Sequence, residues 1–182
     1  RLKPQEPGAG SVCQAAGLID DAVIMNRPAA ADEIRQLMAI GASDFHAAKS
    51  PEDFAAVWTF DGNDAKRAAD LSAAGNHAAP HQGFIQRAPG RSGKALALSG
   101  SDGGFLRVPY KPSLSLKRFT LAAWVKLRNV PTSRYHILFH KKDAKSNRNY
   151  SLIVASLTQT AYVDIYPVPG SGGRSKLLDD RW

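Results

Sequence analysis

The sequence predicts an all-β protein: an antiparallel β-sandwich with one short helix near its N-terminal end. Three observations lead there. Residues 119–127 place Phe119, Leu121, Ala123, Val125 and Leu127 on one face at period 2, the pattern of a strand with one buried side. Residues 150–155 and 161–166 alternate in the same way on either side of a short polar stretch, which reads as a hairpin. An amphipathic helical stripe is found at residues 30–39, where Ile34, Leu37 and Met38 fall at i, i+3 and i+4.

Taken in order, residues 1–10 are rich in Pro and Gly and read as a loop. Residues 17–25 form a short strand, ended by Asn26-Arg27-Pro28 because proline lacks the ladder donor. The helix follows, with Asp32 and Glu33 in its first turn, where they complement the dipole, and Gly41 as the residue just past its end. Ser50-Pro51-Glu52-Asp53 signals one further helical turn up to Ala56. Residues 57–61 are a strand, and an Asp/Asn/Ala/Gly loop comes next. Further strands are expected before and at 119–127, at 135–139, and at 176–182. Residues 141–149 read as a basic polar turn and 167–175 as a Pro/Gly/Ser loop.

Length and composition narrow the function classes. A chain of 182 residues, 43% hydrophobic and 22% charged, has room for one medium domain or one and a half small ones. Its apolar runs are too short to cross a membrane. It begins with Arg1 and carries no charged-then-apolar leader, and it reads as cut at both ends. Cys13 is the single cysteine, which excludes an internal disulfide.

The net charge of +8 is concentrated. Residues 1–116 hold 12 Lys/Arg against 12 Asp/Glu, and 149–182 hold three of each. The whole excess therefore lies in 117–148, where Lys117, Arg118, Lys126, Arg128, Arg134, Lys141, Lys142, Lys145 and Arg148 face Asp143 alone. Such a segment favours an anionic partner or is a solvated face balanced elsewhere. Nucleic acid is set aside, since the segment has neither a groove-reading helix nor a stacking-aromatic motif.

Gly17, Ile19, Asp20, Asp21, Ile24, Asn26, Arg27, Glu33 and Ile34 resemble the pattern with which the laminin-G-like jelly rolls of the concanavalin A-like superfamily close. Ala30 stands where that family has a Ser cap, a loss worth about 1 kcal/mol of helix stability. Trp58-Thr59-Phe60-Asp61, Asp70-Leu71-Ser72, Gly75-Asn76-His77, Gly93 to Leu98, Val108-Pro109, and Phe119-Thr120 with Ala123-Trp124-Val125 are similar to the motifs with which such domains open. The resemblance implies an incomplete jelly roll. Residues 1–41 would be the closing strand and helix of one module, 42–56 a linker, and 57–182 the front of a second module stopping mid-domain. The alternative is that 17–25 folds back onto the second unit and covers an exposed edge there.

The fold the resemblance implies also hosts glucanases, but no predicted strand carries the two same-face carboxylates that glycoside hydrolysis needs. Asp20 and Asp21 are adjacent and should point to opposite faces. Nothing marks Cys13 as activated. His77/His81 and His136/His140 are i, i+4 pairs, a zinc spacing on a helix only; on a strand four residues span roughly 13 Å. The piece is therefore expected to be non-catalytic.

Calcium fits the 61–77 loop better, with Asp61, Asn63, Asp64, Asp70 and Asn76 as oxygen donors. This is no EF-hand, because Lys66 and Ser72 replace its glycine and closing glutamate. The resemblance implies Asp70 and Asn76 as ligands at the sandwich rim, joined by Asp20 or Asp21. Alternatively Asp70 makes an Asx turn and Asn76 takes a left-handed backbone. For a glycan, Trp124, Tyr135, Tyr150, Tyr162 and Tyr166 are candidate platforms. Trp124 is either a shelf beside basic residues or covered by a neighbouring element. Trp124, Lys126, Lys141, Lys142, Lys145 and Arg148 form the expected ligand-binding set.

The resulting expectation is a recognition or adhesion module of a larger exported protein, extracellular or at the cell surface. It would bind a glycan, anionic by preference, or an extracellular protein. The alternatives are an accessory domain on a glycosidase, sulfatase or peptidase, and a purely structural repeat.

Overall fold

The computed structural model describes residues 15–82, 84–100, 104–128, 135–142, 148–155, 160–165 and 173–176. In chain order the elements are β1 (Ala16–Met25), α1 (Ala31–Ala47), a 3₁₀ turn (Pro51–Asp53), β2 (Phe54–Trp58), β3 (Ala79–Pro80), β4 (Arg87–Pro89), β5 (Lys94–Ser99) and β6 (Leu106–Arg107). There follow a second 3₁₀ turn (Pro112–Leu114), β7 (Thr120–Leu127), β8 (Tyr135–Lys142), β9 (Arg148–Ala155), β10 (Thr160–Ile165) and β11 (Gly173–Lys176). The architecture is mostly β, in antiparallel sheets, with one α-helix.

β1 organises the first sheet. On one edge it pairs with β5 along Ala16–Ile19 and with β2 along Ala22–Met25; on the other edge it pairs with β7 throughout. β4 lies outside β5. Residues 16–25 are thus hydrogen-bonded to strands drawn from residues 54–127. The second sheet runs β11-β10-β9-β8, and β3 with β6 makes a small ribbon.

Alternate residues of β1 serve two cores. Ile19, Ala22 and Ile24 join Trp58, Phe60, Leu96 and Leu98 in a cluster against which Leu121, Ala123, Leu138 and Phe139 also pack. Leu138 and Phe139 belong to the second sheet, so this cluster lies between the sheets and the arrangement is sandwich-like. Tyr150 ties the sheets further: its hydroxyl donates to the Leu114 carbonyl at 3.2 Å, its ring meets Phe119 at 4.7 Å, and burial pushes its pKa up to about 12. Val23 and Met25 turn the other way and meet Leu37, Ala42 and Phe45 of α1 with Phe54 and Val57 of β2.

A network at the end of β1 sets where α1 begins. Arg27 is bidentate to Glu33 at 2.7 and 2.8 Å and reaches Asp53 at 2.7 Å, while Lys49 approaches Glu33 at 3.5 Å. Glu33 also accepts the Ala30 amide at 3.0 Å. This is the reciprocal half of a capping box, and it survives although Ala30 has no side-chain oxygen to supply the other half.

Several boundaries differ from the expectation. α1 continues past Gly41, which has φ 80° and marks a kink; Ala42 and Phe45 are buried beyond it, so packing extends the helix. Residues 42–56 accordingly contain the second half of α1, the first 3₁₀ turn and the start of β2. β2 begins at Phe54 and stops at Trp58, because Phe60 adopts φ 61° and leaves the ladder. Lys141, Lys142, Arg148 and Asn149 lie in strands, with Lys142 opposite Arg148, where a turn was expected. The expected strand at 176–182 falls mostly outside the described residues.

Candidate functional site

The Asp70 loop is a closed clasp. Asp70 Oδ1 accepts the amides of Val57 at 2.8 Å and Ser72 at 2.9 Å. Its Oδ2 accepts the Ser72 hydroxyl at 2.8 Å and the Asn76 amide at 2.6 Å. The Asp70 amide donates to His77 Nδ1 at 3.0 Å, which assigns that nitrogen as the acceptor. Asn76 is fully buried; its side-chain amide donates to the Ala55 carbonyl and the Ser113 hydroxyl, and its backbone carbonyl accepts Trp58 Nε1 at 3.0 Å. The Asx turn at Asp70 is present, whereas the left-handed residue is Gly75 at φ 61° and not Asn76.

The structure therefore brings Asp70 and Asn76 together, with every carboxylate oxygen of Asp70 engaged. A cation there would have to displace four donors. The carbonyls of Ala74 and Gly75, which a calcium ion would also favour, accept the Lys111 ammonium at 3.2 and 2.6 Å. Among the described residues no three His, Cys, Asp or Glu side chains converge as a metal site.

Asp20 and Asp21 sit at a bulge. Asp20 pairs with Trp124 and Val23 with Ala122, so β1 carries one extra residue there, and Asp21 has φ 49°. The bulge breaks the alternation on which the opposite-face expectation rests. Asp20 Oδ2 accepts the amides of Arg91 at 2.8 Å and Ser92 at 3.2 Å, and its Oδ1 accepts the Asp21 amide at 2.9 Å. Gly90 makes this approach feasible, since a Cβ on it would lie 2.4 Å from Asp20 Oδ2. Asp21 is as deeply buried, yet its Oδ2 has no hydrogen-bond partner. Burial raises its pKa, the Ala42 amide lowers it in part, and the charges of Asp20 and Asp61 raise it again.

Trp124 shows how the basic residues are used. Its indole is partly buried, and the Arg91 guanidinium lies over the ring at 4.4 Å. The two, with exposed Lys126 and Pro89 and half-buried Leu18, line a depression of about 250 Å³ on the outer face. The sequence pointed to Trp124 and Lys126; it gave no sign of Arg91, which a turn between β4 and β5 delivers. Lys141 sits over the exposed Tyr110 ring at 4.7 Å. Lys145 lies outside the described residues, as do the side chains of Lys142 and Arg148. Of the other candidate platforms Tyr150 is buried, and the side chains of Tyr135, Tyr162 and Tyr166 are outside the described set.

On the far side of Trp124 a larger groove of about 580 Å³ runs along β7, walled by apolar residues of α1, β7, β8, β9 and β10. The second sheet also holds a contact that sequence spacing did not reveal: His140 Nδ1 lies 2.7 Å from Ser151 Oγ. The two are directly opposed across β8 and β9 and Ser151 has no exposed surface, so the pair acts as a rung of the ladder. His136 is buried and His81 stacks on Phe105 at 4.6 Å.

No protein family, curated protein or solved structure matches the chain.

Proposed function

We propose that this chain is a non-catalytic recognition module that takes anionic glycans at the Trp124 depression. The observation that carries the reading is the Arg91 guanidinium stacked on Trp124, two residues along β7 from Lys126. The part of the indole that Arg91 leaves exposed offers a sugar ring an apolar contact, and the two cations pair with carboxylate or sulfate groups on the same ring or its neighbour. The excess charge of residues 117–148 adds a longer-range pull on such a polymer.

The laminin-G-like resemblance belongs to this proposal. It makes the chain the junction of two jelly-roll modules, 1–41 and 57–182, in an exported protein acting outside the cell or at its surface. The closing strand of the first module would then serve as β1 in the sheet of the second. In the same reading the Asp70 loop shapes the rim without a resident calcium, because Lys111 stands where backbone oxygens converge.

Retention on immobilised heparin tests the reading. The wild-type chain should elute at moderate salt, Arg91→Ala and Lys126→Ala should each elute earlier, and Lys141→Ala with Lys142→Ala and Lys145→Ala should shift elution further. Failure of the wild type to bind at low salt would end the proposal.

A further inference from the structure

We propose that the open edge of β7 and the groove beside it form an acceptor site for an extended strand of a partner protein, apolar on alternate residues and acidic between them. This goes beyond glycan binding and uses different atoms. β7 is eight residues long and, among the described residues, is hydrogen-bonded on one edge only, to β1. The Arg128 amide donates to the Ala16 carbonyl at 2.9 Å. Backbone groups alternate in direction along a strand, so the amides of Leu121, Ala123, Val125 and Leu127 turn to the open edge. Proteins protect such edges with proline, inward charge or bulges. β7, Thr-Leu-Ala-Ala-Trp-Val-Lys-Leu, has one lysine and none of the others.

The space beside the edge suits a strand. The groove of about 580 Å³ is bounded on one side by Leu121 and Val125 of β7 and on the other by Leu138, Leu152 and Val154 of the second sheet. Ile34 and Met38 of α1 also reach it while 43% and 50% exposed, so the helix leaves an apolar stripe uncovered there. A strand added to β7 would place one alternate set of side chains against the second sheet and the other set on the α1 face, over Ile34 and Met38 at the Ala122 end and beside Lys126 and Arg128 at the far end.

Charge selects the occupant. Lys126 and Arg128 are exposed along β7 and its end, and Arg128 lines the groove. They belong to the segment that holds the whole net charge of +8. A second copy of this chain would bring two such segments together, which disfavours self-pairing, whereas acidic residues on the α1-face side of an incoming strand would meet Lys126 and Arg128 at that end. Asp21, the acid on the groove wall, is 5% exposed and lies on the helix side.

The test uses the full chain and a fluorescent, end-capped peptide of alternating Val and Glu, followed by anisotropy. Saturable binding is expected. N-methylation of every second peptide amide, which blocks ladder bonds with the protein unaltered, should weaken it at least tenfold, and a Val/Lys peptide should bind at least tenfold more weakly. Val125→Pro, which deletes one edge donor, should weaken binding similarly. The proposal is overturned if the Val/Glu peptide does not bind. It is equally overturned if the N-methylated or Val/Lys peptide binds as tightly, or if sedimentation shows that the chain covers this edge by dimerising.

Discussion

β1 and β7 lie side by side in one sheet, and their burial runs against their composition. β1 contains two aspartates, yet nine of its ten residues are buried; β7 carries no acid, yet none of its eight residues is. The difference is position. β1 is paired on both edges and covered by α1 on one face and the second sheet on the other, whereas β7, among the described residues, has one paired edge. Asp20 is tolerated in β1 because the chain delivers donors to it: three amides close on its carboxylate. A central strand is therefore defined by what its neighbours bring to it, and an edge strand by what they fail to cover.

The largest break in that comparison should come from Gly17→Val. Gly17 has φ 139°, and a Cβ there would lie 2.2 Å from the Lys126 carbonyl oxygen and 2.9 Å from Leu127 Cα. Backbone strain and overpacking together should remove on the order of 4 kcal/mol, read by chemical denaturation. Asp20→Ala strips the acceptor from three amides and should cost about 3 kcal/mol, while Lys126→Ala on β7 should stay within about 0.5 kcal/mol. The Asp70 clasp offers a parallel: Asp70→Ala should cost about 3 kcal/mol, and millimolar Ca²⁺ should leave the wild-type melting temperature unchanged. A calcium-dependent rise in that temperature would show that the ion displaces the donors. Val23→Ala, at a fully buried position, should cost about 2 kcal/mol, and Val125→Ala on the edge strand less than half as much.

Sequence reasoning reached the strands whose two faces differ. β7 and the β9–β10 hairpin alternate in sequence as strands with unlike faces do, and they fall close to where the alternation puts them. β2 hid its start because all five residues from Phe54 to Trp58 are buried, so no period of two exists to read. Gly41 reads as a stop from its conformational preference alone, and nothing local announces that Phe45 will pack under the sheet. The site divides in the same way. Asp70 and Asn76 are near in sequence and their association was legible. Arg91 on Trp124 and Lys111 on the 74–75 carbonyls depend on how distant turns meet, which no local pattern encodes.

The smallest predicted effect concerns the join between β1 and α1, and its sign can be worked out. The Arg27 guanidinium holds the Glu33 carboxyl at about 2, below its ordinary 4.5, and hydrogen bonding to Arg27 lowers Asp53 from its ordinary 3.8 as well. The folded state therefore binds fewer protons than the unfolded state between these values. The stability this contributes is full above about 4.5 and is lost as pH falls toward about 2. Arg27 is 32% exposed, so screening keeps the contribution below about 1 kcal/mol. Arg27→Ala should flatten the stability profile in that acid window. If the variant kept the wild-type slope, the acid sensitivity would lie elsewhere, and α1 would be held to β1 by the packing of Leu37 and Phe45 without measurable help from the ion pairs.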